Sequence, residues 1–314
     1  MTTAKIPERR RTVSRSAQRA DRKAKDLSRR KPSSLGRGRS PRPRVSPVTY
    51  AVLAVAALLA VAPLYWMFVV GSNTSAAISS SPPVLFPGGN FVSNIIKVEG
   101  DVPFVRSLLN SAIVALSVAV LQIFFCSLAG FAFAKLRFRG RNGLFVFIIA
   151  TMAIPSQLGL VPLYLIMSDI GWIDTLQALI APGAVTAFGV FWMRQVIVGS
   201  MPDELIEAAR IDGCSTFRTF RSVVFPTIRG AAAVFGLFAA MSAWNDFLWP
   251  LVELSTPSNF TVQVAIQQLR TNYQSIDYST TLAASFLATL PLLVLFAVAG
   301  KQLVAGIMEG AVKG

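Results

Sequence analysis

The chain has 314 residues, of which 53% are hydrophobic and only 14% charged, with a formal net charge of +15. This composition is too apolar for a soluble domain of that length. The sequence contains no histidine, which excludes His-based catalysis and His-liganded metal sites. It also lacks the Gly-rich loop ending in Gly-Lys-Ser/Thr that binds nucleotide phosphates. Energy for any transport is therefore expected from a partner or a gradient.

Residues 1–47 form a strongly basic tail, with 16 basic and three acidic residues. The tail is rich in Ser, Arg and Pro and has no apolar periodicity, which predicts disorder. Two interpretations stay open: binding to nucleic-acid phosphates, or a topology signal that also binds anionic lipid. No aromatic residue precedes Val48, so stacking platforms for bases are missing and nucleic acid is the weaker interpretation.

Six apolar runs are long enough to cross a bilayer core, which requires about 20 helical residues. The sequence therefore predicts an all-α integral membrane protein with six transmembrane helices. The predicted runs are residues 48–70, 107–134, 142–168, 175–193, Gly230–Val252 (interrupted only by Asp246) and 278–300.

The basic residues predict the orientation of these spans. Of the 30 Lys and Arg residues, 27 fall on the tail, on residues 135–141 and 194–229, and at the carboxyl end. The other three, Lys97, Arg106 and Arg270, fall on the opposite side. By the positive-inside rule the first group faces the cytoplasm, together with both termini.

The third predicted span contains helix-breaking residues. Pro155, Gln157, Gly159 and Pro162 lie within eight positions. Backbone groups freed in this way are tolerated in a membrane only where protein or a wet cavity satisfies them. We expect a bend here, with Gln157 on a translocation path; a simple kink at a helix interface is the alternative.

Residues 200–226 are a polar segment between two long apolar runs. A helix is predicted from Ser200, with Asp203 in its first turn and Gly213 as its stop. A second short helix is predicted from Ser215 to Pro226, with Phe217, Phe220 and Val224 on one face.

Within this segment Glu207-Ala208-Ala209, Gly213 and Val223-Val224-Phe225-Pro226 resemble the EAA signature of bacterial ABC-importer permeases. We call residues 200–226 the EAA segment. The resemblance implies that it docks an ATPase, with polar pairing at Glu207, close fit at Ala208 and Ala209, and the turn at Gly213. An amphipathic helix lying on the membrane surface is the plain alternative.

The fifth predicted span carries the one intramembrane carboxylate, Asp246, beside Trp244, Asn245 and Trp249. A charge at this depth is costly unless it faces a cavity or a partner. Trp244, Asn245 and Asp246 are therefore candidates for the outer part of a sugar path. A packing bond to a neighbouring helix is the alternative.

Further motifs make residues 48–314 similar to the maltose-type branch of carbohydrate importer permeases. They are Phe131–Gly140, Pro162–Tyr164, Phe188–Gln195, Trp244–Pro250 and Gly310–Gly314. The resemblance implies one permease domain of the type I ABC-importer (MetI-like) fold in the plasma membrane, carrying a sugar. It also implies a second permease, a cytoplasmic ATPase dimer that uses the ATP, and an extracytoplasmic solute-binding protein. No cofactor is expected in this chain.

Two other functions remain possible from the sequence. A gradient-driven secondary carrier is expected to show several intramembrane ionisable residues, whereas only Asp246 is found. A membrane-anchored nucleic-acid-binding protein explains the tail but leaves the six spans and the EAA segment unexplained.

Overall fold

The computed structural model describes residues 46–78, 80–81, 84–271 and 277–311. The predicted disordered tail thus lies outside the described residues, apart from Ser46 and Pro47. The chain divides into two units, Met1–Leu59 and Ala60–Gly314. In the first unit the described residues form the beginning of helix α1, and the second unit contains the remaining elements.

The described ranges are helical and contain no β-strand. The α-helices are α1 (Pro47–Gly71), α2 (Ser75–Ile78), α3 (Phe91–Asp101), α4 (Phe104–Lys135), α5 (Arg141–Thr151), α6 (Leu160–Asp169), α7 (Leu176–Ile180), α8 (Ala187–Ser200), α9 (Asp203–Ile211), α10 (Thr216–Thr219), α11 (Phe225–Asn245), α12 (Leu248–Glu253), α13 (Val262–Thr271) and α14 (Tyr278–Ala311).

Four described helical segments are long and apolar enough to cross a membrane: Pro47–Gly71, Phe104–Lys135, Thr216–Asn245 and Tyr278–Val298. Two bent helix pairs have the same character. The predicted number of six spans is reached when each bent pair counts as one span.

The third predicted span, residues 142–168, is not one continuous helix. Helix α5 ends at Thr151, and a 95° bend separates it from the helical stretch Ser156–Asp169. Pro155 explains the break, because proline has no backbone N–H and disfavours helical backbone at the residue before it. The expected bend in this span is confirmed.

The fourth predicted span, residues 175–193, is bent by 41° and reaches further than predicted, to Ser200. A 3₁₀ turn at Pro182–Ala184 separates α7 from α8. Thr186 then caps α8, since its hydroxyl oxygen accepts the Gly189 N–H at 3.1 Å.

The predicted bounds of the fifth span, Gly230 and Val252, both differ from those in the structure. Helical structure runs from Thr216 to Asn245, and α12 is a separate short helix. The backbone becomes extended at Asp246, with φ −66° and ψ 127°. Asp246 therefore lies at a break after the long helix and not inside it.

Helices α4, α8 and α11 pack tightly against one another at glycines. A Cβ added at Gly130 of α4 would lie 2.8 Å from the backbone nitrogen of Arg194 in α8. A Cβ at Gly189 of α8 would lie 2.6 Å from both Cys126 Sγ of α4 and Phe235 Cζ of α11. No side chain fits at either position without moving backbone or core atoms.

Two large hydrophobic clusters and a small one around Ala119, Ala239 and Ala240 form the core of the described residues. The first surrounds Phe104, Val114, Trp244, Trp249 and Phe260. The second surrounds Cys126, Phe131, Met193, Ile206 and Phe220, and thus includes residues of the EAA segment. Helix α4 contributes to both clusters, because its 32 residues extend through the two of them.

Candidate functional site

The EAA segment folds as helix α9, a sharp turn and a second helical stretch. Helix α9 begins at Asp203, later than predicted, because Ser200 is the last residue of α8 and its hydroxyl donates to Val196 O at 2.6 Å. The predicted acidic first turn is present, with Asp203 and Glu204. Negative side chains there complement the positive end of the helix dipole.

The turn depends on Gly213, as predicted. Its φ of +76° lies in the left-handed region, which glycine adopts without strain. Gly213 N–H donates to Arg210 O at 3.0 Å, and Cys214 N–H donates to Ala209 O at 2.9 Å. This pair of bonds is the Schellman motif that closes a helix. Ser215 then caps the next helix by accepting the Arg218 N–H at 3.3 Å.

Pro226 does not end the second helix, contrary to the prediction. A π turn over Phe220–Val224 leads directly into α11, and Pro226 lies in the first turn of that helix. Phe225 N–H donates to Phe220 O, five residues back. The wider π turn accommodates the proline ring, which would clash with the carbonyl four residues earlier in a regular helix.

The faces of α9 divide into a buried and an exposed side. Ile206 and Ala209 are buried, with 4% and 6% exposure, whereas Glu207 and Ala208 are exposed. The close fit to an ATPase predicted for Ala209 does not suit this position, because its side chain faces its own chain. A larger residue there would push α9 away from the core.

An exposed apolar patch accompanies Glu207 and Ala208. Ile211 is 87% exposed, Phe217 55% and Leu205 47%. The sequence pattern placed Phe217 on the same face as Phe220, but only Phe220 is buried, at 3%. The two rings still pack together, with centroids 6.3 Å apart, so Phe217 lies at the exposed edge of the face that Phe220 buries.

Glu207 borders a polar cleft of about 250 Å³ beside α9. The other charged residues of this cleft are Lys135, Arg137, Arg141, Asp203 and Arg210. The exposed carboxylate of α9 thus lies in a cleft with several cations, on the helix that also exposes Leu205 and Ile211. This surface combines apolar area with directional charge, which is the character of a docking site for a protein partner.

A cavity of about 900 Å³ lies between the segments that form the predicted translocation path. Its polar lining residues are Gln122, Ser156, Gln157, Thr186, Ser242, Asn245 and Asp246, and its aromatic ones are Phe238 and Trp249. Among the described residues that line it, Asp246 is the one charged side chain.

Three of the four residues predicted for the path meet at this cavity: Gln157, Asn245 and Asp246. Trp244 does not, because its side chain is 6% exposed and packs in the first hydrophobic cluster. Gln122 is a lining residue that the sequence analysis missed. Its amide donates to Gly183 O at 2.8 Å, which fixes it against the break between α7 and α8.

Asp246 has a structural task as well as a position on the cavity wall. Its carboxylate lies beside the backbone N–H groups of Phe247, Leu248 and Trp249, at the start of α12. The N–H groups of a helix's first turn lack helical partners, so a nearby carboxylate stabilises them. Trp249 of the same helix donates its indole N–H to Ala178 O at 3.0 Å, which holds α12 against α7.

Comparisons with known proteins agree on one family. Residues 104–307 match the family model described as the binding-protein-dependent transport system inner membrane component. The chain is 33% identical over 268 residues to the lactose transport system permease protein LacG of Rhizobium radiobacter, covering 85% of this chain and 96% of that protein.

Other relatives carry different solute names. The arabinooligosaccharides transport system permease protein AraQ of Halalkalibacterium halodurans is 34% identical over 205 residues, 65% of this chain and 73% of that protein. The sn-glycerol-3-phosphate transport system permease protein UgpE of Escherichia coli K12 is 31% identical over 268 residues, 83% of this chain and 94% of that protein.

A solved structure shares the fold. It is a crystal structure of a bacterial ABC transporter involved in the import of the acidic polysaccharide alginate. The TM-score is 0.70 at 24% sequence identity, with 81% of this chain and 94% of that chain covered.

Proposed function

The chain belongs to the family of binding-protein-dependent transport system inner membrane components, and from that membership we propose which solute class it carries and which residues act. It is a permease subunit of an ABC importer, whose ATPase is a separate subunit, so the chain is a transport subunit and not an enzyme. Its partners are a second permease, the ATPase and a solute-binding protein. The gradient-driven carrier does not fit this family.

The proposed solute is a neutral carbohydrate. The supporting observation is the cavity lining, which offers amides, hydroxyls, a carboxyl and an indole but no Lys or Arg among its described residues. Amides and hydroxyls suit sugar hydroxyl groups, and an aromatic face suits the apolar face of a pyranose. A phosphate ester requires cationic or backbone N–H partners, and Asp246 opposes it.

A neutral carbohydrate agrees with the solutes named for some relatives and not with those named for others. LacG and AraQ are named for sugars, whereas UgpE is named for a phosphate ester. The test is ATP-driven uptake by the complete importer in proteoliposomes. We expect uptake of a neutral oligosaccharide to exceed that of sn-glycerol-3-phosphate by about tenfold or more. Equal or faster uptake of the phosphate ester contradicts the proposal.

The proposed path runs through the cavity, with Asn245, Asp246 and Gln157 on its wall. The bent spans support this role, because irregular backbone at membrane depth is tolerated where it lines a wet cavity. The helices then alternate between outward-facing and inward-facing arrangements as the ATPase cycles.

The EAA segment is the proposed docking site for the ATPase. Glu207 supplies polar pairing, Ala208 lets the partner approach closely, and Leu205, Ile211 and Phe217 supply apolar area. Ala209, Gly213 and Pro226 act indirectly, by seating α9, closing its turn and leading the chain into α11. ATP is used by the partner ATPase, and no cofactor is assigned to this chain.

We place the EAA segment and both termini in the cytoplasm, on the distribution of basic residues. The two native cysteines offer a test, because Cys214 of the EAA segment is partly exposed while Cys126 is buried. A membrane-impermeant thiol reagent should label Cys214 from the cytoplasmic side only. Labelling of Cys214 in intact spheroplasts reverses the orientation.

The basic tail is proposed to bind anionic lipid at the cytoplasmic face, with each basic residue worth about 1 kcal/mol near the surface. Removal of residues 1–40 should leave ATP-driven uptake in place once the protein is inserted. It should also reduce flotation of the chain with phosphatidylglycerol vesicles relative to neutral ones. Unchanged flotation removes the lipid role.

A further inference from the structure

We propose that Lys135 is a positioning residue that ties the docking helix α9 to α4, so that movement of α9 reaches the cavity wall. This inference rests on the proposed docking role of the EAA segment. It assigns a task to a residue outside that segment, on another helix and 68 positions earlier than its acidic partner.

Lys135 joins three helix ends through one ammonium group. It is the last residue of α4. Its Nζ donates to Met201 O at 2.6 Å, just beyond the end of α8, and to Asp203 Oδ1 at 2.5 Å, at the start of α9. The side chain is only 8% exposed. A buried ammonium is costly unless oxygen atoms satisfy it, so these two partners hold it in place.

The two bonds differ in their exposure to solvent. The Asp203 side chain is 79% exposed, and solvent screens such ion pairs, although the hydrogen bond and charge of Lys135 lower the pKa of the Asp203 carboxyl. Met201 is 2% exposed, so the bond to its carbonyl forms away from solvent. The carbonyl is also at the negative end of α8, which favours a cation. The Met201 carbonyl thus anchors the ammonium at the end of α8, and Asp203 is the partner through which the ammonium reaches α9.

Helix α4 extends from this junction to the cavity. Val114, Val118 and Gln122 line the cavity, and Gln122 lies 13 residues before Lys135, about 20 Å along the axis. Towards its Lys135 end, α4 packs backbone to backbone with α8 at Gly130. Arg194 of α8 adds a bond from Nε to Phe133 O at 3.4 Å.

These contacts make α4 and α8 one body near the docking surface. Lys135 attaches the start of α9 to that body. Displacement of α9 by the ATPase is then carried along α4 to the wall that holds Gln122. Without Lys135, α9 is held to this body only by its buried residues Ile206 and Ala209, so its displacement is transmitted less completely and less solute moves per ATP hydrolysed.

The test measures solute molecules imported per ATP hydrolysed by the complete importer in proteoliposomes. Lys135→Met should lower this ratio by about tenfold, the order that one charge-assisted hydrogen bond is worth, while the ATPase stays bound and active. Lys135→Arg, which keeps the donors, should restore it to within about twofold. Arg139→Met is the matched control, since it removes an exposed charge from the loop that follows α4 and should leave the ratio unchanged.

An unchanged ratio in Lys135→Met overturns the proposal, as does an equal loss in Arg139→Met. If Lys135→Met is not recovered as a complex, Asp203→Lys decides, because it sets a like charge against Lys135 on an exposed position. Glu204→Lys is its control. A lower ratio for Asp203→Lys than for Glu204→Lys supports the proposal, and equal ratios overturn it. Failure of the docking proposal looks different, because the ATPase would then stay bound to chains altered at Ile211.

Discussion

The EAA segment and the cavity differ in how the sequence builds them. In the EAA segment the bonds that shape its turn are local, from Gly213 to Arg210, from Cys214 to Ala209 and from Arg218 to Ser215. The cavity wall instead collects residues from four stretches between Val114 and Pro250. A docking element can thus take its shape from a short stretch of sequence, whereas a solute path depends on how whole helices pack.

Helix α4 connects the two regions, so a change in its packing should damage both. Gly130→Val places a branched side chain where a single Cβ already lies 2.8 Å from Arg194 N. We expect about 3 kcal/mol or more of destabilisation and loss of both ATPase binding and uptake. Thermal unfolding of the purified chain in detergent measures it. Gly143→Val, at a helical glycine with open space around it, is the control.

If Gly130→Val abolishes only ATPase binding or only uptake, α4 does not connect the two regions. A melting temperature equal to that of the control would contradict the tight packing of α4 against α8.

Ile211→Asp should separate the two regions. Placing a charge at the most exposed part of the apolar patch should weaken ATPase binding by about tenfold or more, because docking would bury it. Pull-down of the ATPase with the permease pair measures this loss, and Ile211→Leu serves as the matched control. Folding should not change, since the side chain is 87% exposed. Normal ATPase binding in Ile211→Asp contradicts the docking surface.

Asp246→Ala tests whether the cavity wall acts on transport without the docking surface. Loss of the carboxylate at the start of α12 should cost about 1 kcal/mol and lower uptake, with ATPase binding retained. Asp246→Asn keeps the size and an oxygen acceptor and removes the charge. If Asn restores stability but not uptake, the charge acts on the path; if it restores both, Asp246 acts only on the start of α12. Unchanged uptake in Asp246→Ala removes it from the path.

The smallest expected effect concerns Asp174, which holds the loop after α12. Its carboxylate accepts Ser255 N–H and Thr256 N–H, both at 3.0 Å, and the Thr256 hydroxyl. Partial burial acts to raise the pKa of Asp174, but these hydrogen bonds outweigh it, so its pKa lies below the ordinary value.

A lowered pKa in the folded state gives stabilisation that is complete above the ordinary value of about 4 and lost as the pH falls through the folded-state value. Unfolding of wild type and Asp174→Asn should therefore differ at about pH 6 and converge towards about pH 3. Asparagine is the suitable replacement for Asp174, because it tolerates the positive φ of 60° at this position. A constant difference across this range contradicts the assignment.

The sequence predicted best what local chemistry decides. Gly213 as a helix stop, Ser215 as a cap and Pro155 as the origin of a bend follow from backbone rules that need no tertiary contact. It failed where tertiary packing decides. The π turn that carries the chain past Pro226 and the break at Asp246 are examples, and so is the burial of Trp244 away from the cavity.

The cavity itself required the fold. Gln157 and Asp246 were marked individually, as a polar residue and a charge in apolar runs, but nothing in their spacing shows that they meet. Gln122 carried no signal at all, since one glutamine on a long helix faces lipid, core or cavity depending on how that helix is packed.

Binding of the ATPase to the exposed face of the EAA segment can be measured with a photo-crosslinking residue in place of Ala208, in the complete importer. We expect a covalent adduct with the ATPase subunit, and its yield should change between the nucleotide-free and ATP-bound states. An importer that transports normally while residue 208 never crosslinks to the ATPase would contradict it.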